Sequence, residues 1–251
     1  METPLQVIKK LRKIFPEYEA VKIGYAGRLD PLAHGVLLLM IGEATKERGQ
    51  YLNLSKEYEF EAVFGMSTDT YDVLGIIRGA NYELRTTNCL SSGEFENSIQ
   101  KFIKNKIGKH AQPYPPFSSK AVSGKPLYMW AKENKLSDIE IPTKEIEIYS
   151  FDLLSMGEVF VEDLQDKILK SVKGVDGDFR QKEILEKWEV FLNSHKGDSF
   201  KTAKFKIACS SGTYVRNLVN ELGRVIGGGA VTLEILRTRV GGFSLEDSLR
   251  I

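Results

Sequence analysis

Cysteine is scarce in this sequence: Cys89 and Cys209 are far apart and show no CxxC spacing. That excludes a disulfide framework and offers no zinc pattern. Histidine is almost as rare, and His34, His110 and His195 are scattered without metal-ligand spacing. Long apolar runs are missing. The longest, Val36 to Ile41, is far too short to span a bilayer. The opening METPLQVIKK is amphipathic, so it lacks the apolar stretch of a signal peptide. Net charge is nearly absent at +1, which by itself argues against a polyanionic partner. No internal repeat or low-complexity segment is present. These absences lead to the expectation of a protein of the reducing cytoplasm that makes no membrane contact.

What is present is an ordinary globular mixture, 42% apolar and 27% charged over 251 residues. A chain this long buries a core without covalent staples. Its charges are unevenly spread. From Asn97 to Lys132 there are seven lysines (101, 104, 106, 109, 120, 125 and 132) and no acid. Phe102, Tyr114, Phe117, Tyr128 and Trp130 are interleaved among them. Such a stretch suits a polyanion with rings for its bases, or it is a solvated basic helix and loop.

Thr3, Pro4 and Gln6 spell a capping box, with Leu5, Ile8, Leu11 and Phe15 along one helical face before Pro16. Residues 21–35, VKIGYAGRLDPLAHG, read as a loop, and Val36 to Ile41 as a short buried segment. Glu57 to Phe64 alternates as a strand, with Tyr58, Phe60 and Ala62 on one face. Glu94 to Lys106 predicts a helix with Phe95, Ile99, Phe102 and Ile103 inward. A proline-rich loop and a short helix through Leu127 and Ala131 follow, then a strand from Glu145 to Leu154. Val161 to Asn193 reads as helical, interrupted at Gly174 and Gly177. Phe205 to Cys209 predicts a strand, and Thr213 to Ile226 a helix with Leu218, Leu222, Val225 and Ile226 inward. Strands and helices without regular βαβ alternation predict an α+β fold.

Two segments carry chemistry. In GRLDPLAHG, Asp30 precedes Pro31, which pushes its backbone toward extended geometry, and Gly27 and Gly35 permit bends on either side. This presents a carboxylate on a structured loop, although Asp-Pro is also a common turn dipeptide. In CSSGTYVRNLVNELG, a strand ends in a turn and a helix begins. Ser210, Ser211 or Thr213 can cap that helix, and its free N–H groups suit a phosphate. Arg216, in the first turn, is placed to pair with a carboxylate or phosphate, or to stand on the surface.

The segment VKIGYAGRLDPLAHGVLLLMIGEATK resembles the GHxGxLDPxAxGVLxxxxGEATK signature of the TruB family of pseudouridine synthases. Four more segments resemble family elements in the family's order: KEYEFEAVFGMSTDTYDVLG, QPYPPFSSKAVSGKPLYMWAK, CSSGTYVRNLVNELG and GGGAVTLEILRTRVGGFSLEDS. The resemblance implies a pseudouridine synthase fold: a mixed, mostly antiparallel sheet with flanking helices and a central RNA-binding cleft. It implies isomerisation of the T-loop uridine of tRNA, position 55. On that alignment Asp30 is the catalytic aspartate, Tyr58 stacks on the target base near C5, and Arg216 pairs with the catalytic carboxylate. Leu236 lines the base pocket, and Tyr25, Lys120, Tyr128, Thr213 and Tyr214 contact RNA or support the site. The chemistry moves a glycosidic bond without redox change or group transfer, so neither cofactor nor metal is expected. A monomer with tRNA as its partner is expected.

Three departures stand out. Only ETPLQV corresponds to the strand and KPxGxTS element that open the family pattern. Tyr25 stands where the family has histidine, which keeps an aromatic surface and loses the imidazole. The chain is expected to be one catalytic domain over 1–251 without the C-terminal PUA domain of many relatives, and with an insertion at about 156–200. That insertion, of mixed charge, reads as a solvated structural excursion. The alternatives are a non-catalytic RNA-binding or tRNA-folding protein on the same fold, or a synthase for another RNA stem-loop. A carboxylate hydrolase is more remote, since it needs a second acid and only Asp69 and Asp72 are near.

Overall fold

Thr3 opens the first helix, α1 (Pro4–Ile14), through both bonds of the capping box: Gln6 N–H donates to Thr3 Oγ1, and Thr3 N–H to Gln6 Oε1. The structure, a computed structural model, describes residues 2–78 and 90–251. Cys89 lies outside those residues. The α1 face buries Pro4, Ile8 and Leu11. Leu5, expected inward, is exposed, because it lies about 100° around the helix from that face.

Next come β1 (Ile23–Ala26), β2 (Ala33–Gly35), β3 (Leu38–Ile41), α2 (Arg48–Asn53), β4 (Lys56–Phe64) and α3 (Ser92–Lys106). They are followed by β5 (Gly108–Pro113), the two-residue β6 (Ala121–Val122) and β7 (Lys125–Pro126), and α4 (Leu127–Lys132). The chain ends with β8 (Thr143–Phe160), α5 (Val161–Lys173), α6 (Gln181–Ser194), β9 (Ser199–Cys209), α7 (Val215–Ile226), β10 (Ala230–Val240) and β11 (Phe243–Ser244). Seven strands form one sheet in the order β11-β10-β4-β9-β8-β5, with β2 also paired to β10. Among these strand pairs only β2–β10 is parallel. The architecture is α+β with a mixed, mostly antiparallel sheet.

The stretch expected as a loop, 21–35, contains β1 and β2. Its glycines concealed them. Gly24 lies so close to β3 that an added Cβ would meet Met40 Cε at 3.2 Å. Gly35 has φ +103, and a Cβ there would lie 2.3 Å from the Arg237 carbonyl oxygen. Helix α3 buries Phe95, Ile99, Phe102 and Ile103, the four residues that its periodicity selected. Helix α7 buries Val215, Leu218, Val219, Leu222 and Ile226, but Val225, at the edge of that stripe, is exposed.

Strands β8 and β9 are longer than their apolar patterns suggest. They stay paired from Met156–Ala203 out to Phe160–Ser199. The segment at 156–200 therefore begins and ends as sheet, and α5 and α6 cap it. Leu164, Ile168, Val172, Ile184, Trp188 and Leu192 of these helices join the main core. No helix among the described residues is long and apolar enough to cross a membrane.

Candidate active site

Asp30 lies between β1 and β2, in a bend closed by Ala33 N–H donating to the Asp30 carbonyl at 2.9 Å. Both ends of this loop are held from β10. Buried Arg237 donates from Nε to the Val36 carbonyl at 2.7 Å and from Nη2 to the Gly27 carbonyl at 3.0 Å. In return, Val36 N–H donates to the Arg237 carbonyl at 2.9 Å. Gly27 adopts φ +76, a backbone state that side chains rarely take, where the loop turns beside this guanidinium.

Arg216 is one of the most deeply buried side chains, not a surface residue. Its Nε donates to Asp30 Oδ2 at 2.9 Å and lies 3.5 Å from Asp72 Oδ2. Its Nη1 donates to the Thr70 carbonyl at 2.6 Å. The planar fork of a guanidinium holds the Asp30 and Thr70 oxygens at fixed angles while its charge faces Asp72, which an ammonium does not. Side-chain exposure separates the two carboxylates: 32% for Asp30, 3% for Asp72. Asp30 is the member that solvent, and hence a substrate, reaches. Burial works against the Arg216 charge, but Asp30 and Asp72 outweigh it and raise its pKa above the usual arginine value.

Asp72 is the fixed member. Its Oδ1 accepts from Thr70 Oγ1 at 2.6 Å and from Leu74 N–H at 3.0 Å. The turn around it is anchored to β10: Thr232 N–H donates to the Tyr71 carbonyl and Val73 N–H to the Thr232 carbonyl. Burial pushes the Asp72 carboxyl up from 3.8 to about 6, with Arg216 and Thr70 opposing. A raised carboxyl pKa means that the fold favours the protonated form. That contribution is complete below about pH 4 and is lost as pH rises through about 6. The wild type is therefore expected to lose stability from about pH 4 to 7 relative to Asp72→Asn. Urea midpoints of the two proteins across that range check this, and parallel curves would contradict it.

Tyr58, on β4, is the cross-strand partner of Arg237. Burial raises its phenol to about 12, with Arg237 opposing, so it is a neutral ring at ordinary pH. Lys56, two residues earlier, is buried beside Arg237 and donates to the Leu52 and Leu54 carbonyls at 2.7 and 2.6 Å. Burial, then Arg237, lowers its pKa to about 8.

Tyr214 precedes α7, and burial followed by the Asp30 charge raises its phenol to about 12. Gln112 grips it from β5, accepting from Tyr214 N–H at 2.8 Å and donating to its carbonyl at 3.1 Å. Tyr114 meets the Tyr214 ring edge-on at 5.8 Å, and Lys120 Nζ stands 5.3 Å from the Tyr114 ring centre. A basic and aromatic wall thus extends from Asp30 through Tyr214. Thr213 is buried and caps the Ser210 carbonyl at 3.0 Å. Tyr25 is half-buried on β1, opposite Leu39 of β3. Tyr128 is exposed on α4. Leu236 pairs with Glu59, on the face of β10 alternate to Arg237, with its Cδ1 against the Gly35 backbone.

The structure thus gathers Asp30, Arg216 and Tyr214, with Tyr58 joined through Arg237. Leu236 flanks that group from β10, beside Gly35 at the end of the Asp30 loop, whereas no side-chain hydrogen bond among the described residues joins Tyr25 or Tyr128 to it. Within the basic stretch, Lys106, Lys125 and Lys132 are paired with Glu221, Glu133 and Asp178. Sequence reasoning gave no role to Arg237, Lys56 or the Thr70 carbonyl, and named Asp72 only as a turn residue that could serve as the second acid of a remote hydrolase reading. An interior arginine looks no different in sequence from a surface one, and a backbone acceptor has no residue type.

A family model described as TruB family pseudouridylate synthase (N terminal domain) matches residues 12–173. A tRNA pseudouridine synthase B of Lactobacillus johnsonii is 33% identical over 247 residues, covering 98% of this chain and 67% of that protein. The tRNA pseudouridine synthase 4 of Saccharomyces cerevisiae is 30% identical over 271 residues, covering 95% of this chain and 64% of that protein. The chain spans about two thirds of the length of these curated relatives. Among solved structures, a chain of a Cbf5-Nop10-Gar1 complex superposes with a TM-score of 0.54 at 19% identity, covering 97% of this chain and 46% of that one. That likeness speaks for the fold alone. With a family model across well over half its length, the chain belongs to the TruB family of pseudouridylate synthases.

Proposed function

We propose that the protein is a tRNA pseudouridine synthase that isomerises the T-loop uridine at position 55, with Asp30 as the acting carboxylate. One observation carries this reading. Asp30 is the exposed member of a carboxylate pair held by a buried guanidinium, and its other oxygen, Oδ1, has no hydrogen-bond partner among the described residues. The reaction breaks N1–C1′ and forms C5–C1′. A carboxylate oxygen either attacks the sugar carbon or removes the neighbouring 2′ proton. Arg216 holds Oδ2 and so fixes where Oδ1 points. The target base leaves its stack to reach Asp30, and the neutral ring of Tyr58 offers it a platform.

In this reading Tyr214, Thr213, Lys120, Tyr128, Tyr25 and Leu236 bind or support the RNA. The tRNA relatives set the substrate class, and the Lys120–Tyr114–Tyr214 wall suits a phosphate backbone with an unstacked base. Residues 1–251 act as one catalytic domain, as a monomer in the cytoplasm, with the α5–α6 pair as an insertion. The test is release of tritium from tRNA carrying C5-labelled uridine. About one equivalent per tRNA is expected, falling to none when cytidine replaces the T-loop target. Full release from that substituted tRNA would move the target elsewhere, and no release from either RNA would overturn the reading.

A further inference from the structure

The helical pair α5–α6 touches far more of the molecule than a solvated excursion needs. Its connection, residues 174–180, reaches four separate parts of the chain. Gln6 of α1 donates to Asp176 Oδ2 at 2.8 Å. Lys132 of α4 donates to the Asp178 carbonyl at 3.3 Å. Arg180 Nη1 donates to Asp69 Oδ2 at 2.7 Å, in a pair largely shielded from water. The same guanidinium lies 4.4 Å from the ring centre of Phe117, in the proline-rich loop. Arg180 does this from φ +63, a backbone state uncommon for any residue but glycine. Behind it, Trp188 Nε1 donates to the Gly75 carbonyl at 3.1 Å in the interior.

Asp69 and Gly75 bracket the turn that holds Arg216. Asp69 Oδ1 accepts from Ile76 N–H at 2.8 Å, and Asp69 N–H donates to the Ile76 carbonyl at 3.1 Å, which closes the turn. Inside it lie the Thr70 carbonyl, which accepts from Arg216, and the Asp72 carboxylate, which pairs with its charge. The turn is packed so tightly that a Cβ on Gly75 would lie 2.3 Å from Thr70 Oγ1.

We propose that Arg180 is a positioning residue for the reaction: through Asp69 it holds the turn that orients Arg216, and through Phe117 it ties that turn to the RNA-facing loop. The α5–α6 pair is then a brace behind the active site, with no RNA contact required of it. A shift of about 1 Å at a reacting group is enough to slow chemistry by tenfold or more. Arg180 touches neither Asp30 nor Arg216, so it acts only through the turn.

This inference rests on the reading of the chain as a tRNA pseudouridine synthase. The test compares the full chain with Arg180→Ala and Arg180→Lys. Three quantities are read: the single-turnover rate at saturating tRNA, the half-saturating tRNA concentration, and amide hydrogen exchange across residues 69–76. Arg180→Ala is expected to slow the saturated rate about tenfold, leave half-saturation within about twofold, and speed exchange at Ile76. Arg180→Lys retains a charge that can pair with Asp69 but loses the planar contact with Phe117, and is expected to recover part of the rate, to roughly threefold above Arg180→Ala. An unchanged rate with unchanged exchange overturns the proposal. So does a weaker half-saturation with an unchanged maximal rate, which would mark Arg180 as an RNA contact, and so does a lysine variant as slow as alanine. Failure of the wild type to release tritium would defeat the functional reading alone, and the exchange measurement would still decide whether Arg180 braces the turn.

Discussion

Asp30→Asn is expected to slow pseudouridine formation by roughly four orders of magnitude, the scale on which loss of a reacting side chain is felt. Asparagine has nearly the same shape, so the loop keeps its bonds to Arg237 and the bend closed by Ala33 N–H. What goes is the charge, and with it the nucleophile or base. The amide must also turn its oxygen toward Arg216 Nε, which leaves its NH2 where Oδ1 faced substrate. Stability should change little, because the Asp30 side chain is 32% exposed and Arg216 retains the Thr70 carbonyl and the charge of Asp72. Affinity for tRNA should stay within about threefold, since the RNA wall is untouched. Tritium release under single-turnover conditions, with a filter-binding control, measures both. A variant that keeps even a tenth of the wild-type rate would remove Asp30 from the chemistry.

Arg216→Met is the second large effect, and it strikes fold and activity together. Asp72 is 3% exposed and would lose its only cationic partner among the described residues. Breaking a buried pair from one side costs about 3–5 kcal/mol, because a desolvated charge is left behind. Asp72 escapes part of that cost by taking up a proton, so the loss should be smaller at pH 5 than at pH 8. Activity should fall with it, since Oδ2 of Asp30 is no longer held. The double variant Arg216→Met/Asp72→Asn removes the stranded charge. It should regain much of the stability and none of the activity, a non-additivity that separates the two roles. Urea unfolding and tritium release on the three proteins check this. A single variant as stable and as fast as wild type would show that the guanidinium orients nothing.

The parts of the fold that sequence made legible are those where local rules and tertiary packing agree. The Thr3 capping box, the four inward residues of α3 and the alternation of β4 are of this kind. Leu5 and Val225 were misjudged because periodicity marks a stripe, while the neighbours decide how wide it is. Strand β1 was hidden because glycine weakens strand propensity, and Gly24 is there for close approach to β3. Strands β8 and β9 outran their apolar patterns because Lys201, Thr202 and Gly157 interrupt the apolar alternation, although Val159, Phe200 and Ala203 at their far ends are buried in the core and paired. At the site, Asp30 and Arg216 were reached through whole motifs rather than through single residues. Asp72 was seen only as a turn residue and candidate second acid, not as a partner of Arg216, and Arg237 not at all. What makes them matter is burial and a set of backbone carbonyls, and neither is written in residue type.

Strand β4 lies between β9 and β10 in the finished sheet. On the ribosome, however, residues 56–64 emerge long before 199–209 and 230–240. At roughly 5–20 residues per second, β4 waits on the order of ten seconds for either neighbour. For that time Phe60, Ala62, Val63 and Phe64 form an apolar ribbon with both edges bare, open to association with other nascent chains. The Asp30 loop waits longer still, because Arg237, which holds both its ends, lies 201 residues beyond Val36 and 210 beyond Gly27. Synthesis therefore completes this site in steps, and a polypeptide stalled between residues 216 and 237 can pair its aspartate with Arg216 while both ends of the loop that carries it are still unheld.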